Sequence, residues 1–89
     1  MSMLRRNPQV IWDVVDGVMV LCHTASNTFF ELNQTGALVW GMCDGSVVEA
    51  VVEHLRGAYP HEDRNQVAID VRNIILALEE ARLLEVGSD

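Results

Sequence analysis

The side chains best suited to catalysis or metal binding in this sequence are its cysteines and histidines. They are Cys22, His23, Cys43, His54 and His61. None of them lies in a nucleophile motif, an HExxH zinc motif or a glycine-rich phosphate loop. Cys22 and His23 are neighbours in a predicted strand, where successive side chains point to opposite faces, so they cannot act as a nucleophile and its base. The sequence therefore predicts no enzyme and no cofactor.

The two cysteines, Cys22 and Cys43, lie in apolar surroundings and lack the CxxC or Cys-x-x-His spacing of a metal site. We expect buried free thiols. A disulfide and a metal ligand are the alternatives that the sequence leaves open, and no metal is expected.

The overall charge argues against a nucleic-acid partner. The 89 residues include 13 acidic and 6 basic side chains, for a formal charge of -7, and every basic residue is an arginine. A third helix carrying Asp70, Glu79 and Glu80 would repel the phosphates of a DNA groove. Hydrophobic residues make up 49% of the chain, which is enough for the core of a single domain.

No segment predicts a membrane or secretion signal. The longest apolar runs, residues 18–22 and 74–78, have five residues each, whereas a membrane-spanning helix needs about 20. The basic pair Arg5 and Arg6 is followed by polar residues and not by the apolar part of a signal peptide. We expect a cytoplasmic protein with no membrane partner. The chain is expected to form a single domain over residues 1–89, and its ordered core is expected to cover about residues 10–86.

The first half of the chain predicts a three-stranded meander. Runs rich in β-branched residues at 10–15 and 18–24 flank Asp16-Gly17. Asp-Gly between such runs is a strong hairpin signal, because a type I′ turn needs positive φ at both central residues. A second turn at residues 25–27 leads into a third strand at residues 28–32.

Two short helices are expected next. Asn33 can cap the first, which ends at residues 43–45, where glycine permits the left-handed conformation. Ser46 and Glu49 have the spacing of a capping box and predict the start of the second helix, which ends near residues 57–60.

The longest helix opens at Asp63 and Gln66, which repeat the capping-box spacing, and it runs to about Arg82. Ile69 and Leu76 project away from its core face. The core face consists of Val67, Val71, Ile74, Ile75 and Leu78. The pattern as a whole predicts an α+β fold in which a three-stranded antiparallel sheet is followed by three helices, similar to a winged helix-turn-helix.

Peptide binding is the remaining class of function. The last strand of a meander has a free edge that can accept an extra strand. Alternation places Phe30 and Leu32 on one face of it and Phe29 and Glu31 on the other. The alternative is that Phe30 and Leu32 simply fill the core and that the outward aliphatics are scattered surface residues.

The segment from Phe30 to Trp40, with the sequence FELNQTGALVW, resembles the PqqD-like family of RiPP recognition elements, which bind the leader peptides of ribosomally made natural products. The resemblance continues through Asp44-Gly45 and through residues 70–78 to Leu83-Leu84, and covers about residues 10–84. It implies a three-stranded sheet with three helices, in which a leader peptide adds as an antiparallel strand to the third strand and lies against the third helix.

Carried onto this chain, the resemblance implies one groove between these two elements. Arg72 is expected to pair with an acidic leader residue, and Asp70 to fix a hydrogen-bond donor. The expected peptide-binding residues are Thr28, Phe29, Phe30, Glu31, Leu32, Ile69, Asp70, Arg72, Asn73, Leu76 and Ala77.

The pattern of Asn33, Thr35, Gly36, Ala37 and Trp40 is more similar to the lasso-peptide members of the family. This implies a peptide chaperone that delivers the precursor to a leader peptidase and other maturation enzymes. The alternatives are a chaperone that hands the pyrroloquinoline quinone precursor to a radical enzyme and, less favoured, a winged-helix DNA-binding regulator.

Overall fold

The computed structural model describes residues 2–88, which form two three-stranded antiparallel sheets and three helices. In chain order the elements are β1 (Ser2–Arg6), β2 (Val10–Val15), β3 (Val18–His23), β4 (Thr28–Leu32), α1 (Gln34–Met42), β5 (Asp44–Val47), α2 (Val48–Ala58), α3 (Arg64–Glu80) and β6 (Leu84–Ser88). The predicted α+β class is confirmed. None of these three helices is long and apolar enough to span a membrane.

β2, β3 and β4 form the predicted meander, in the order β2-β3-β4. The turn between β2 and β3 consists of Asp16 and Gly17, with φ of 52° and 79°, as a type I′ turn requires. Val15 pairs with Val18 beside the turn, and the register continues to the far end of both strands. The Asp-Gly dipeptide therefore sets the register of the hairpin.

A second sheet, in the order β5-β1-β6, joins the two ends of the described chain to the segment after α1. Met3 of β1 pairs with Val47 of β5, and Leu4, whose side chain is 0% exposed, pairs with Val86 of β6. This sheet was not predicted from the sequence, and the ordered core expected over about residues 10–86 leaves β1 out. The reason is that all three strands are short and find their partners far along the chain.

Two of the predicted helix starts are confirmed. The side-chain oxygen of Asn33 accepts a hydrogen bond of 2.8 Å from the N–H of Gly36 and caps α1. Asp63 caps α3, where its carboxylate accepts from the N–H groups of Asn65 and Gln66. Both caps are local interactions, which is why sequence spacing finds them.

The capping box predicted for Ser46 and Glu49 is wrong. Residues 44–47 form β5, and the residue that precedes α2 is Val47, whose apolar side chain cannot accept a hydrogen bond. A side-chain cap contributes only about 1 kcal/mol. Pairing with β1 requires an extended backbone here and outweighs it.

The core lies between the inner face of the meander, the second sheet and the three helices. Trp40 of α1 is the largest fully buried side chain. Ile74, predicted for the core face of α3, is only half-buried and lies on the flank of that helix. The other residues predicted for this face, all buried, are Val67, Val71, Ile75 and Leu78.

Arg6 ties β1 to the end of α1. Its guanidinium donates hydrogen bonds of 3.0 and 3.1 Å to the carbonyl oxygen of Trp40 and one of 3.0 Å to that of Gly41. The carbonyl oxygen of Trp40 also accepts a bond of 3.1 Å from the N–H of Cys43, whereas carbonyls at a helix end such as that of Gly41 have no partner within the helix. The guanidinium also lies 4.8 Å from the ring centroid of Trp12 and 5.5 Å from that of Trp40. One arginine thereby connects the second sheet to both α1 and the meander.

Both cysteines are free thiols, as expected. Cys43 is buried and donates a hydrogen bond of 3.1 Å to the carbonyl oxygen of Val39. Burial raises the pKa of the Cys43 thiol from 9.0 to about 11, although the positive charge of Arg6 lowers it in part. Cys22 is only half-buried, on the outer face of the meander.

Candidate peptide-binding groove

β4 forms an edge of the meander, and within residues 2–88 no strand pairs with its outer side. The direction of its backbone groups follows from the hairpin before it. The two-residue turn makes Val15 and Val18 a hydrogen-bonded pair, and the 2.8 Å bond from the N–H of Thr24 to the carbonyl of Gln9 fits the same alternation. The intervening residues of β3, such as Leu21, therefore direct their backbone groups toward β4.

Phe30 lies opposite Leu21, and its backbone bonds with β3. The neighbouring residues Phe29 and Glu31 must then direct their N–H and C=O groups away from β3. The edge of β4 thus presents four backbone groups, two donors and two acceptors, at the spacing that an extended peptide requires.

An open cavity of about 440 Å³ runs between this edge and α3. Phe30 and Leu32 of β4 line one wall, and Ile74 and Ala77 of α3 line the other. We call this cavity the groove. Its full lining consists of Phe30, Glu31, Leu32, Asn33, Gly36, Ile74, Ala77, Leu78, Ala81 and Leu83.

A smaller polar cavity continues the groove past the end of β4. Asn33 and Ile74 line both cavities, while Thr35, Asp70 and Asn73 line only the extension. The carboxylate of Asp70 accepts a hydrogen bond of 2.9 Å from the side chain of Gln66. One end of the site is therefore apolar and the other is polar and acidic.

Some of the residues predicted for the groove lie elsewhere. Ile69 and Leu76 are each 51% exposed on the outer side of α3, and neither they nor Arg72 lines the groove or its extension. Phe29 is 63% exposed on the opposite face of the sheet. Arg72 makes no ion pair with any residue of the described range 2–88.

The predicted residues that line the groove are Phe30, Glu31, Leu32 and Ala77, and those that line its extension are Asp70 and Asn73. Sequence analysis missed the flank of α3 that carries Ile74 and Ala81. At 100° per residue this flank lies between the core face and the outer face. Ala77 and Asp70, which were predicted, lie on the same flank and were the signals for it.

The outer face of the meander is a second exposed surface. Ile11, Val15 and Phe29 are exposed there, and Ile11 and Phe29 are both paired with Cys22 of β3. A shallow cavity of about 370 Å³ is formed by these side chains and their neighbours. Aliphatic and aromatic side chains clustered in this way on a small protein are typical of an interaction surface.

The described residues contain no group of three histidine, cysteine or acidic side chains that could hold a metal ion. An edge strand with free backbone groups, beside an apolar groove on a helix, instead defines the class of domains that bind an extended peptide by strand addition.

The sequence model of coenzyme PQQ synthesis protein D (PqqD) matches residues 18–84, and the chain belongs to this family. No curated protein matches it. One similar solved structure is TbiB1 in complex with the TbiA(beta) leader peptide, with 29% identity, coverage of 96% of this chain and 99% of that one, and a TM-score of 0.83. Another is a lasso peptide synthetase B1 complexed with the leader peptide, with 25% identity, coverage of 92% and 96%, and a TM-score of 0.80.

Proposed function

We propose that this protein is a RiPP recognition element that binds the leader peptide of a ribosomally made precursor and catalyses no reaction itself. We propose that the precursor is that of a lasso peptide. The observation that carries the proposal is the free edge of β4 beside the groove. The two similar solved structures support it, because both are complexes with a leader peptide.

The proposed peptide runs antiparallel to β4. Its backbone pairs with Phe29 and Glu31, so its side chains alternate between the groove and the outer face. The residue opposite Leu32 and the residue opposite Phe30 enter the groove, and they are two positions apart. Their own N–H groups point away from β4, so proline is acceptable at both of these positions.

Apolar contacts must supply most of the affinity. Four backbone hydrogen bonds contribute about 1 kcal/mol each, whereas association costs at least about 4 kcal/mol. Each apolar side chain buried against the groove adds about 1.5–3 kcal/mol. The side chains opposite Leu32 and Phe30 therefore decide which peptides bind.

Polar selection is expected at the extension of the groove. An antiparallel peptide places the residues before its paired segment near Asp70 and Asn73, which line that end. We propose that Asp70 accepts a hydrogen bond from a donor of the peptide there. Arg72 lies on the outer side of α3, and its pairing with an acidic leader residue remains a prediction.

We propose that the outer face of the meander carries the partner to which the peptide is delivered, a leader peptidase or another maturation enzyme of the pathway. The face is largely apolar and lies on the other side of the sheet from the groove. Because alternate side chains of the peptide border this face, an enzyme bound there contacts both the protein and its peptide. The acidic Asp13 and Glu31 on this face favour a partner with basic groups around an apolar patch.

The alternative is a chaperone for the precursor of pyrroloquinoline quinone, which the name of the family favours. Separate titrations with a lasso leader, for which the TbiA(beta) leader is a ready probe, and with a pyrroloquinoline quinone precursor distinguish the two. Tighter binding of the second peptide would replace the lasso assignment. DNA binding is tested by adding duplex DNA at low salt, where even non-specific binders show affinity.

The direct test records backbone amide shifts of the isotope-labelled protein while peptide is added. We expect the largest shifts in residues 28–32 and on the Ile74 flank of α3. The first half of α2, residues 48–53, which lines neither the groove nor its extension, is the internal reference. Absence of shifts in residues 28–32, or no binding below about 100 μM, would refute the proposal.

A further inference from the structure

Gly36 is a glycine that the backbone does not require. Positive φ is found at Gly17 and Gly45, whereas Gly36 lies inside α1 with ordinary helical backbone. Glycine is a poor helix former compared with alanine. Its presence in the first turn of a short helix therefore needs another explanation.

The missing side chain leaves room in the groove. Gly36 is buried and lines the groove next to Leu32 and Asn33. A Cβ at Gly36 would lie 3.3 Å from Oδ1 of Asn33 and 3.4 Å from Cβ of Leu32. Both are lining residues, so even a methyl group would occupy space at the junction of β4 and α1. Ala77 lines the same groove from α3 and is also small.

We propose that Gly36 determines the size of the side chain that the groove accepts at the peptide position opposite Leu32, and that this position takes a large apolar residue, aromatic or branched. The inference rests on the proposed peptide binding and adds a preference to it. Every larger residue at position 36 narrows the groove at this point, so the preference moves toward small side chains.

The chain supplies a matched control in the same helix. Gly41 is exposed in α1, and a Cβ there would have no described atom within 4 Å. Gly41→Ala therefore makes the same chemical change and the same gain in helix propensity as Gly36→Ala, but at a distance from the groove. A second variant, Ala77→Leu, narrows the groove from α3 without touching the Asn33 cap.

The test uses a phage-displayed library of random peptides, selected on the wild-type protein and on each of the three variants. We expect wild type and Gly41→Ala to enrich peptides with a large apolar residue at one fixed position. Gly36→Ala should enrich smaller residues at that position. In titrations, the peptide that binds wild type best should bind Gly36→Ala about tenfold more weakly, equivalent to about 1.4 kcal/mol. The same peptide with alanine in place of its large apolar residue should differ much less in affinity between the two proteins.

The outcomes distinguish a failure of the inference about Gly36 from a failure of the proposed peptide binding. If wild type enriches no peptide, the proposed function itself fails. If peptides are enriched but Gly36→Ala and wild type select the same residues, peptide binding stands and the inference about Gly36 is wrong. If thermal unfolding shows that Gly36→Ala is destabilised, as crowding of the Asn33 cap would cause, the decision falls to Ala77→Leu, which leaves the cap intact. The same move toward small residues in Ala77→Leu supports the inference, and no move overturns it.

Discussion

Strand addition to β4 is tested most sharply by Glu31→Pro. The N–H of Glu31 faces away from β3, so proline at this position removes a donor that only the peptide would use. The meander keeps its own hydrogen bonds, and we expect a cooperative unfolding transition close to that of the wild type. Proline at the neighbouring Phe30 would instead remove a bond to β3 and destabilise the sheet.

The expected loss of affinity follows from the unpaired carbonyl that Glu31→Pro leaves on the bound peptide. An unsatisfied group of this kind costs about 1–3 kcal/mol, which corresponds to about 5- to 150-fold weaker binding. Fluorescence anisotropy with a labelled TbiA(beta) leader, or with a peptide selected from the library, measures it. Thermal unfolding of the same samples shows whether each variant is folded.

Two controls isolate the backbone effect. Glu31→Ala removes the carboxylate but keeps the N–H, so any effect of charge appears there alone. Val14→Pro places proline at the equivalent outward position on the opposite edge, where the N–H of Val14 bonds at 2.8 Å to the Asp13 carboxylate. If folded Glu31→Pro binds peptide as tightly as Glu31→Ala, strand addition to β4 is wrong.

Three further outcomes are expected. Ile74→Glu should weaken peptide binding by at least about tenfold, because it places a charge in the apolar groove. Ile69→Glu, on the exposed side of α3, is the control, and its unfolding free energy should stay within about 0.5 kcal/mol of the wild-type value. If the two variants weaken peptide binding equally, the peptide binds elsewhere. Arg6→Ala should lower the unfolding free energy in urea by about 1.5–3 kcal/mol, because the charged hydrogen bonds to the carbonyls of Trp40 and Gly41 are lost. Arg6→Lys should restore only part of this stability, and full restoration would show that only the charge matters. The pKa of Cys43 is raised from 9.0 to about 11 in the folded protein. The stability that the protonated thiol contributes is therefore complete below pH 9 and falls as pH rises toward 11. Cys43→Ala should remove this fall in the unfolding free energy measured in urea, and an unchanged dependence on pH would contradict the raised pKa.

The parts of the fold that were predictable are those specified by neighbouring residues. The Asp16-Gly17 turn placed the hairpin, and Asn33 and Asp63 placed two helix starts, since each acts within a few residues along the chain. β1, β5 and β6 depend on pairing between segments that are distant in sequence. Ser46 is an example: its spacing to Glu49 predicts a helix cap, but the residue lies in β5, which is stabilised by pairing with β1.

The groove was predictable on its strand side and less so on its helix side. Alternation in β4 assigned Phe30 and Leu32 to one face, and the structure places both on the groove. On α3, a division into core and outer faces led to Ile69 and Leu76, while the groove is lined by the flank between the faces. A helix that packs on one side and borders a groove on the next has three kinds of surface, and hydrophobic periodicity distinguishes only two.

The pairing of β1 with β6 links the groove to a sheet whose strands are distant in sequence. Ser2 pairs with Ser88 and Arg6 with Leu84, so β6 is held in place by β1. Leu83, which closes the groove, immediately precedes β6, and its carbonyl accepts a 3.0 Å bond from the N–H of Asn7. Changes that weaken β1 should therefore disturb the part of the groove that Leu83 lines, although no residue of β1 lines the groove itself.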